Sequence, residues 1–261
     1  MDQREFTRRQ YESSANLRVR AQSHARYSTN PLGWVNWMWP LLGLEPGMRV
    51  LEVGCGDGAL WRGRMDVLPA GCFLVLSDLS AGMVRSAAQV LSGSSGGWAI
   101  ADAEHLPFEG TYFDFVIANH MLYHVSDRAA TFGEIARVLR PGGRLCASTV
   151  GTGHMREMHG WLQQAYGGTI THEGLHLPSF TLQSGEAELA QWFVSVSRHD
   201  YPDDLRVPEI APLLDYMHSI WSEHMGPEQT RLLKATLQDE LERHGEILVH
   251  KESGLFVAHK C

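Results

Sequence analysis

The chain has 261 residues, a length that allows one substantial hydrophobic core with an appended cap. Its formal net charge of -8 and its pI of about 5.9 disfavour a broad basic surface, so no nucleic-acid partner is expected. Its four cysteines lack C-x-x-C or ligand-like spacing, which argues against a disulfide framework and a zinc site. The sequence shows neither an apolar signal core nor an apolar run of ~18 residues, and it therefore predicts a cytoplasmic protein without a membrane partner.

Two helices are predicted before residue 48. The first covers residues 12–26, with Ser13 or Ser14 as N-cap. One face of this helix carries Leu17, Ala21, His24 and Ala25. The second helix has an apolar stripe at helical spacing, formed by Trp34, Trp37, Met38, Leu41 and Leu42. Pro40 is expected to kink or shorten it. Core packing explains this stripe most simply, and the alternative is that the N-terminal segment covers a ligand site.

A glycine-rich turn follows the first predicted strand, residues 49–53. Glycine permits positive φ and removes the Cβ that would keep a ligand away from the backbone. The residues from Gly54 to Ala59 match the G-x-G-x-x-G/A pattern of dinucleotide sites. A helix is predicted from about Ala59 to Leu68, before a break at residues 69–71.

The acidic residues of this segment argue against a pyrophosphate ligand. Dinucleotide sites hold a pyrophosphate over the turn and the helix N-terminus, where an anion is favoured. Glu52 and Asp57 would place carboxylates against it. A ligand with a cationic portion and no phosphate fits better, and S-adenosylmethionine carries both a sulfonium and an ammonium.

The pattern hydrophobic-(E/D)-x-G-x-G-x-G after a strand resembles the first motif of the class I S-adenosylmethionine-dependent methyltransferases, among them the ubiquinone/menaquinone type. The resemblance implies S-adenosylhomocysteine as product and cofactor contacts at Glu52, Gly54, Cys55 and Gly56. If the N-terminal segment covers this site, Tyr27, with Arg26 beside it, is the residue expected at the methionine end of the cofactor.

The second predicted strand, residues 73–78, ends on Asp78. An acid there can accept hydrogen bonds from both ribose hydroxyls in NAD sites and S-adenosylmethionine sites alike, so it predicts an adenosine ligand without choosing between them. Leu79 and Met83, the latter on a helix capped by Ser80, are expected to cover an adenine face. Ordinary core packing explains Met83 equally well.

A short connection, residues 92–97, leads to a third strand and to the run Asp-Ala-x-x-Leu-Pro-Phe at residues 102–108. This run resembles the third-strand motif of the same methyltransferases. The resemblance implies that Asp102 accepts a hydrogen bond from the adenine amino group and that the backbone N–H of Ala103 donates to the ring.

The fourth strand, residues 113–118, leads to Asn119, His120 and His124. It resembles the family segment whose end lies beneath the methionine portion and faces the acceptor pocket, which implies a cofactor contact for Asn119. His120 and His124 are four residues apart and would share a helical face. They lack the glutamate of H-E-x-x-H and a third ligand, so no metal is expected. Either histidine is a candidate general base, and His124 is also a candidate for orienting the loop.

The sequence from residue 126 predicts one more unit of the sheet and then a less patterned region. Ser126-Asp127 caps a helix that runs to residue 139, and the turn 140–143 leads into a fifth strand at 144–149. Residues 151–190 are rich in histidine and aromatic residues and are expected to form a cap that binds a small polar or aromatic acceptor. The remaining predicted elements are a strand at 193–196, helices at 208–224 and 227–245, and strands at 247–250 and 254–259, the last in a sheet edge or hairpin.

Alternating strands and helices predict a doubly wound α/β fold. The resemblance extends this to a Rossmann-like, mostly parallel, seven-stranded sheet whose strand ends meet at one carboxyl edge. The predicted divisions are a helical N-terminal arm at 1–47, the S-adenosylmethionine-binding core at 48–150, the cap insertion at 151–190 and the C-terminal completion of the sheet at 191–261.

The expected activity is in-line transfer of a methyl group from S-adenosylmethionine to an O, N or C atom of a small molecule, with natural-product biosynthesis as one setting. Neither Asn/Asp-Pro-Pro-Tyr after the fourth strand nor a Pro-Cys pair is present, which argues against methylation of nucleic-acid bases. Two alternatives stay open: an NAD(P)-dependent oxidoreductase, which leaves Glu52 and Asp102 unexplained, and a non-catalytic S-adenosylmethionine-binding regulator. Monomer and homodimer are equally compatible with the sequence.

Overall fold

The computed structural model describes residues 15–90, 96–168, 170 and 177–261, and a seven-stranded sheet lies at its centre. The strands are β1 Arg49–Val53, β2 Phe73–Asp78, β3 Gly96–Ile100, β4 Phe113–Asn119, β5 Leu139–Val150, β6 Val194–Tyr201, β7 Asp204–Val207, β8 Ile247–His250 and β9 Ser253–His259. The helices are α1 Ala15–Tyr27, α2 Trp34–Leu42, α3 Ala81–Val90, α4 Arg128–Val138, α5 Arg156–Ala165, α6 Gly185–Leu189, α7 Ala211–Trp221 and α8 Pro227–His244.

Five neighbouring strands of the sheet are parallel, in the order β3-β2-β1-β4-β5. β9 then pairs antiparallel with β5 on one side and β6 on the other. The strand order reverses between β1 and β4, and ligands of such sheets bind at the carboxyl ends beside this switch point. The predicted doubly wound, mostly parallel, seven-stranded fold is confirmed.

Apolar runs explain why β1 and β4 lie in the middle of the sheet. Four of the five residues of β1 are buried, and Phe115 to Ala118 of β4 are buried as well. Successive residues enter different apolar clusters, with Leu51 in one and Val50 in the other, because side chains alternate between the two faces of a strand. Both faces of the central strands are therefore covered, as in other parallel sheets.

A third apolar cluster contains no residue of the seven-stranded sheet, and we call it the helical lobe. It joins α1, α5, α7 and α8 with the antiparallel pair β7–β8. Its buried members include Met158, Leu205, Met217, Leu233 and Val249. Chain before β1 and chain after β5 thus build one lobe together, and the sequence divisions given above stay a prediction.

The prediction of a helix from Ala59 to Leu68 is wrong. The segment forms consecutive turns and a single 3-10 turn, Met65–Val67. Gly58 and Gly63 adopt φ of 76° and 71°, a left-handed conformation that interrupts a right-handed helix. The fully buried Trp61 fixes these turns against the sheet instead.

Other differences concern the C-terminal half. β7 is absent from the predicted elements, and β9 is an interior strand with six of its seven residues buried, so its predicted edge or hairpin position is wrong. Ser13, Ser14 and most of the connection at 92–97 lie outside the described residues, whereas Gly96 and Gly97 belong to β3. In the part of the chain that the structure describes, no helix is long and apolar enough to cross a membrane.

Candidate functional site

A cavity of about 770 Å³ opens at the carboxyl ends of β1, β2 and β4. Residues of α1, α2 and the connections next to β6 and β9 form its remaining wall. The predicted site residues that line it are Glu52, Gly54, Cys55, Gly56, Asp78, Leu79, Met83, Asp102, Ala103, Asn119, His120 and His124. Tyr27 is the predicted residue that does not. Four separate sequence motifs therefore meet at one opening.

Two groups of ionisable side chains stand out in the cavity. One group, the carboxylate cluster, lies at the ends of β1, β2 and β3 and consists of Glu52, Asp57, Asp78 and Asp102. The other group, the histidine cluster, consists of His24, His120, His124 and His154, with the cations Arg20 and Lys251. Acidic side chains thus dominate one part of the cavity, and histidines with two cations dominate another.

The glycine loop brings backbone to the cavity surface. Gly54 has φ of 67°, and a Cβ built there would lie 2.8 Å from the Cβ of Met121, so no side chain fits. Gly56 has φ of 55°, and a Cβ there would meet Leu17 Cδ1 at 4.0 Å and otherwise fill cavity space. The loop is therefore shaped for a ligand that lies directly against the main chain.

Asp78 joins this loop to the end of β2. Its Oδ2 accepts a hydrogen bond from the backbone N–H of Gly56 at 2.9 Å, and its Oδ1 accepts one from Ser80 at 2.8 Å. Burial raises the pKa of Asp78, and these two hydrogen bonds oppose the rise. A carboxylate oxygen accepts more than one hydrogen bond, so both oxygens keep capacity for ribose hydroxyls.

Glu52 is 1% exposed, and its Oε2 accepts a hydrogen bond of 2.6 Å from the indole N–H of Trp61. Burial raises the pKa of Glu52 to about 8, and the charges of Asp78 and Asp57 add to the rise. The side chain is therefore mostly protonated at neutral pH. A cation placed beside it would favour the carboxylate, so the charge of Glu52 depends on what the cavity holds.

The predicted adenine contacts lie beyond the end of β3. Asp102 Oδ1 accepts a hydrogen bond from the backbone of Glu104 at 3.0 Å, and Ala101 N–H bonds to the carbonyl of Asp78 at 3.0 Å, which ties the two strand ends together. Leu79 is an exposed apolar side chain at the cavity, as expected for a residue that covers a ring. Met83 is buried and lines the cavity, so core packing accounts for it while the adenine contact stays a prediction.

The end of β4 is fixed by a small polar network. Asn119 Oδ1 accepts hydrogen bonds from Ser148 Oγ at 2.7 Å and from Trp34 Nε1 at 3.3 Å. The backbone N–H of His120 donates to Ser148 Oγ at 2.8 Å. Trp34 also lines the cavity, and its ring lies 4.8 Å from that of His120. Part of the apolar stripe of α2 thus covers the site, as the alternative interpretation of that stripe expected.

His120 and His124 do not share a helical face. His120 has φ of 53°, outside the right-handed helical region, and the 3-10 turn that follows covers Leu122–His124. Met121 packs over Gly54, which accounts for the unusual backbone at this bend. Both histidines still line the cavity, because the bend rather than a helix turns them towards it.

All four members of the histidine cluster are neutral at pH 7. Burial lowers the pKa of His24 and His124 to about 3 and that of His120 to about 4, and it lowers that of His154 well below the ordinary value. The positive charge of Lys251 lowers the pKa of His24, His120 and His154 further. A neutral imidazole can accept a hydrogen bond or a proton.

Tyr27 lies in the helical lobe. Its hydroxyl donates to Glu209, which also pairs with Arg26 at 2.8 Å. The face of α1 that reaches the cavity carries Leu17, Arg20, Ala21, His24 and Ala25. This is the face noted in the sequence, so Tyr27 is corrected to a residue that packs in the helical lobe, and His24 of the same helix lines the cavity.

Several cavity residues were not among the predicted ones, notably Arg20, His24, His154, Tyr201, Asp203 and Lys251. Most lie in elements joined through the helical lobe, and no spacing in the sequence connects them. His172 and His176, which were expected in the cap, lie outside the described residues. Within the described ranges, no group of three or more His, Cys, Asp or Glu side chains is arranged to hold a metal ion.

Known proteins share both the sequence motifs and the fold. The profile of a family described as "Methyltransferase domain" matches residues 51–147. The malonyl-[acyl-carrier protein] O-methyltransferase of Hahella chejuensis is 36% identical over 141 residues, which cover 54% of this chain and 48% of that protein. The ubiquinone/menaquinone biosynthesis C-methyltransferase UbiE of Vibrio vulnificus is 33% identical over 116 residues, 43% of this chain and 45% of that protein. The chain thus spans about half the length of these curated relatives.

The phosphoethanolamine N-methyltransferase 2 of Haemonchus contortus, solved with phosphomonomethylethanolamine and S-adenosylhomocysteine, superposes with a TM-score of 0.63 at 18% identity. The match covers 100% of this chain and 60% of that chain, and at this identity it shows the fold. The segment matched by the family profile contains the glycine loop, Asp78, Asp102 and both predicted catalytic histidines. Residues 51–147 therefore match a methyltransferase domain family, and the chain resembles the class I S-adenosylmethionine-dependent methyltransferases of the ubiquinone/menaquinone type.

Proposed function

We propose that the protein transfers the methyl group of S-adenosylmethionine to an O, N or C atom of a small-molecule acceptor. The observation that carries this proposal is the carboxylate cluster, in which Glu52, Asp78 and Asp102 line the cavity beside the exposed backbone of the glycine loop. Such a surface suits an adenosine ligand with a cationic rather than a phosphorylated portion. A volume of about 770 Å³ leaves space for a second small molecule.

The residues that would hold the cofactor are those that the family resemblance implies and that line the cavity. Asp78 would accept hydrogen bonds from the ribose hydroxyls, Asp102 would accept one from the adenine amino group, and the Ala103 N–H would donate to the ring. Leu79 and Met83 would pack against the adenine. The loop backbone would hold the methionine portion, with contacts assigned to Glu52, Gly54, Cys55, Gly56 and Asn119. Glu52 is buried, and Asp78 and Asp102 are half-buried, which favours the charge-assisted bonds that a cationic ligand needs.

S-adenosylmethionine, when bound, supplies an electrophilic methyl group that an acceptor atom attacks in line, leaving S-adenosylhomocysteine. Because the electrophile is already activated, the protein's part is to position the acceptor, exclude water and accept a proton where the acceptor carries one. His120 follows Asn119 directly, and its ring centroid lies 4.8 Å from that of Trp34, which supports a position where the acceptor would meet the cofactor. We assign it the hydrogen bond to the acceptor nucleophile.

The lowered pKa of both histidines defines how they act. An imidazole with a pKa of about 4, as for His120, is always available as an acceptor near neutral pH but holds a proton weakly. It therefore orients an O–H or N–H nucleophile and passes the proton on to solvent. His124, with its ring against Tyr123 at 4.5 Å between centroids, is assigned the role of holding the loop after β4.

The proposal includes a biosynthetic role in the cytoplasm. Support comes from the relatives, which are named a malonyl-[acyl-carrier protein] O-methyltransferase and a ubiquinone/menaquinone biosynthesis C-methyltransferase, and from a composition that disfavours nucleic acid. The alternative oxidoreductase would have to seat a pyrophosphate beside Glu52 and Asp57. The alternative regulator keeps every cofactor contact and differs in having no transfer.

Incubation of the protein with methyl-labelled S-adenosylmethionine and a small-metabolite extract tests the proposal. We expect label in a small molecule, and less label with Asp78→Ala when the cofactor is below saturation. Tight binding of S-adenosylhomocysteine with no label in any metabolite would contradict transfer and support the regulator.

A further inference from the structure

We propose that Lys251 binds an anionic group, a carboxylate or a phosphate monoester, on the acceptor molecule and that Asp203 positions Lys251 for this task. The inference rests on the proposed methyltransferase function and adds the chemical class of the acceptor. It starts from an ion pair that lies in the wall of the cavity, outside the carboxylate cluster.

The pair is almost completely buried, with the Lys251 side chain 7% exposed and that of Asp203 1% exposed. The ammonium donates to Asp203 Oδ2. Burying two charges costs several kcal/mol, and a buried ion pair is often no more stabilising than packed apolar side chains. A buried pair at a cavity wall is therefore better explained by what the cavity binds than by stability.

Hydrogen bonds already occupy the carboxylate of Asp203. Its Oδ1 accepts from Ser28 Oγ at 2.6 Å and from the backbone N–H of Asn30 at 3.1 Å. Although burial alone would raise the pKa of Asp203, the hydrogen bonds from Lys251 and Ser28 hold it below the ordinary value. Asp203 is thus a fixed anion that faces the chain rather than a ligand.

The ammonium of Lys251, unlike the carboxylate of Asp203, keeps hydrogen-bonding capacity for a ligand. It carries three N–H donors, and within the described part of the chain its side chain hydrogen-bonds to Asp203 alone. The Nζ atom lies 5.6 Å from the ring centroid of Tyr201, and its charge lowers the pKa of His24, His120 and His154. The ammonium of Lys251 therefore lies near the histidine cluster, and its remaining N–H donors can bind a ligand there.

Asp203 also explains how the cation is held in place. It lies between β6 and β7, Ser28 and Asn30 lie between α1 and α2, and Lys251 lies between β8 and β9. The backbone N–H of Lys251 donates to Asp204 at 3.0 Å, which fixes the same connection a second time. Three segments from distant parts of the chain converge to aim one ammonium group.

The surroundings define the rest of the ligand. The four histidines are neutral, so the cations of this part of the cavity are Arg20 and Lys251. Aromatic side chains supply the adjoining walls, namely Trp34, Tyr123, Tyr201 and Tyr216. An acceptor with an anionic group and a compact, flat or apolar body fits both features.

Calorimetric titration of the protein saturated with S-adenosylhomocysteine tests the inference with three probes of one shape: benzoate, phenyl phosphate and neutral benzamide. We expect at least one anion to bind about tenfold or more tightly than benzamide, as for a charge-assisted contact. The stronger of the two anions identifies the headgroup, carboxylate or phosphate. Lys251→Met should remove the preference while leaving benzamide and S-adenosylhomocysteine affinity within about twofold.

Matched variants separate recognition from folding. Lys251→Arg keeps the charge and should keep the anion preference, and Lys234→Met removes an exposed lysine of α8 and should change nothing. Asp203→Asn should reduce the preference without abolishing benzamide binding, because it frees the ammonium from its position. Thermal melts confirm that each variant is folded.

Equal binding of benzamide and both anions by the wild-type protein, absence of binding by all three probes at millimolar concentration, or a preference that survives in a folded Lys251→Met variant would overturn the inference. Failure of S-adenosylhomocysteine to bind the wild-type protein would instead contradict the proposed function. The probe titrations can also be run without S-adenosylhomocysteine, so a failure of anion recognition is distinguishable from a failure of cofactor binding.

Discussion

The carboxylate cluster and the histidine cluster share one cavity but are built in different ways. The carboxylate cluster sits on strand ends, so Glu52, Asp78 and Asp102 are placed by the register of neighbouring strands. The histidine cluster is assembled from α1, the bend after β4 and the connections beside β5 and β9. The proposed cofactor half therefore depends on the sheet and the loops at its strand ends, whereas the proposed acceptor half depends on how the helical lobe meets the sheet.

Burial shifts the pKa values of the two clusters in opposite directions, but in both clusters it favours the uncharged form of the side chain. It raises the pKa of Glu52 and Asp78, and it lowers the pKa of the four histidines. Both shifts disfavour charge on these side chains in a cavity of low polarity. Ligands that carry charge are therefore expected to change the protonation of the cavity when they bind.

The largest expected effect is loss of stability in acid, which the histidine cluster causes. An unfolded chain binds a proton on each histidine near pH 6.5, while the folded protein does so only at about pH 3 for His24 and His124 and about pH 4 for His120. Between these values the unfolded state binds more protons, so stability present above pH 6.5 falls by about 1.4 kcal/mol per pH unit for each histidine.

Urea unfolding at pH 7.5, 6 and 5 measures this effect. The stability of a folded His120→Asn variant should fall less steeply with decreasing pH, because the variant has one fewer histidine that takes up a proton on unfolding. Stability that is flat between pH 7 and 5 would show that the histidines are not buried in neutral form.

The next largest effect is expected at the glycine loop, which lies beside the carboxylate cluster. Gly54→Ala should cost about 1–2 kcal/mol for the left-handed backbone, and the added Cβ would also push Met121 out of its place. Gly63→Ala is the matched control, because Gly63 has φ of 71° and nothing within 4 Å of an added Cβ. Gly63→Ala should show the backbone cost alone and Gly54→Ala a larger loss of stability, with S-adenosylhomocysteine affinity reduced in Gly54→Ala alone. A loss of S-adenosylhomocysteine affinity in both variants would mean that backbone strain in general, rather than the position of Gly54 in the loop, causes the loss.

Asp78→Ala should weaken S-adenosylhomocysteine binding by about 1.5–3 kcal/mol, as for charge-assisted hydrogen bonds. Part of the loss comes from the loop, because the Gly56 N–H loses its acceptor. Asp239→Ala, at an exposed position of α8, is the control. Calorimetry at constant pH compares them, and unchanged affinity would remove Asp78 from the cofactor site.

The smallest effect is a proton released on cofactor binding. Glu52 has a pKa of about 8 in the free protein, so it carries a proton at pH 7, and a bound sulfonium would displace it. We expect release of up to about one proton at pH 7, with affinity for S-adenosylmethionine rising with pH and levelling off above about pH 8. Binding enthalpies in buffers of different ionisation heat measure the release. Glu52→Gln should abolish it, and release that persists in this variant would assign the proton elsewhere.

The part of the site that the sequence predicts is the part encoded by contiguous motifs. Gly54 follows β1 directly, Asp78 ends β2 and Asp102 comes two residues after β3, so neighbouring strand ends bring them together. Lys251 and Asp203 carry no such signal, because their meeting requires folded segments from distant parts of the chain. Tyr27 was expected at the cavity on the hypothesis that the N-terminal segment covers the glycine loop, but a helix turns about 100° per residue, and His24 lies on the face of α1 that reaches the cavity. The helix predicted after Ala59 fails for a local reason, the left-handed glycines at 58 and 63.

Separate calorimetric titrations of the wild-type protein with S-adenosylhomocysteine and with NAD test the central claim most directly. The carboxylates beside the glycine loop should admit the first ligand, which has no phosphate, and exclude the pyrophosphate of the second. The account predicts saturable binding of S-adenosylhomocysteine, weakened in Asp78→Ala, and no binding of NAD. Binding of NAD without binding of S-adenosylhomocysteine would contradict it.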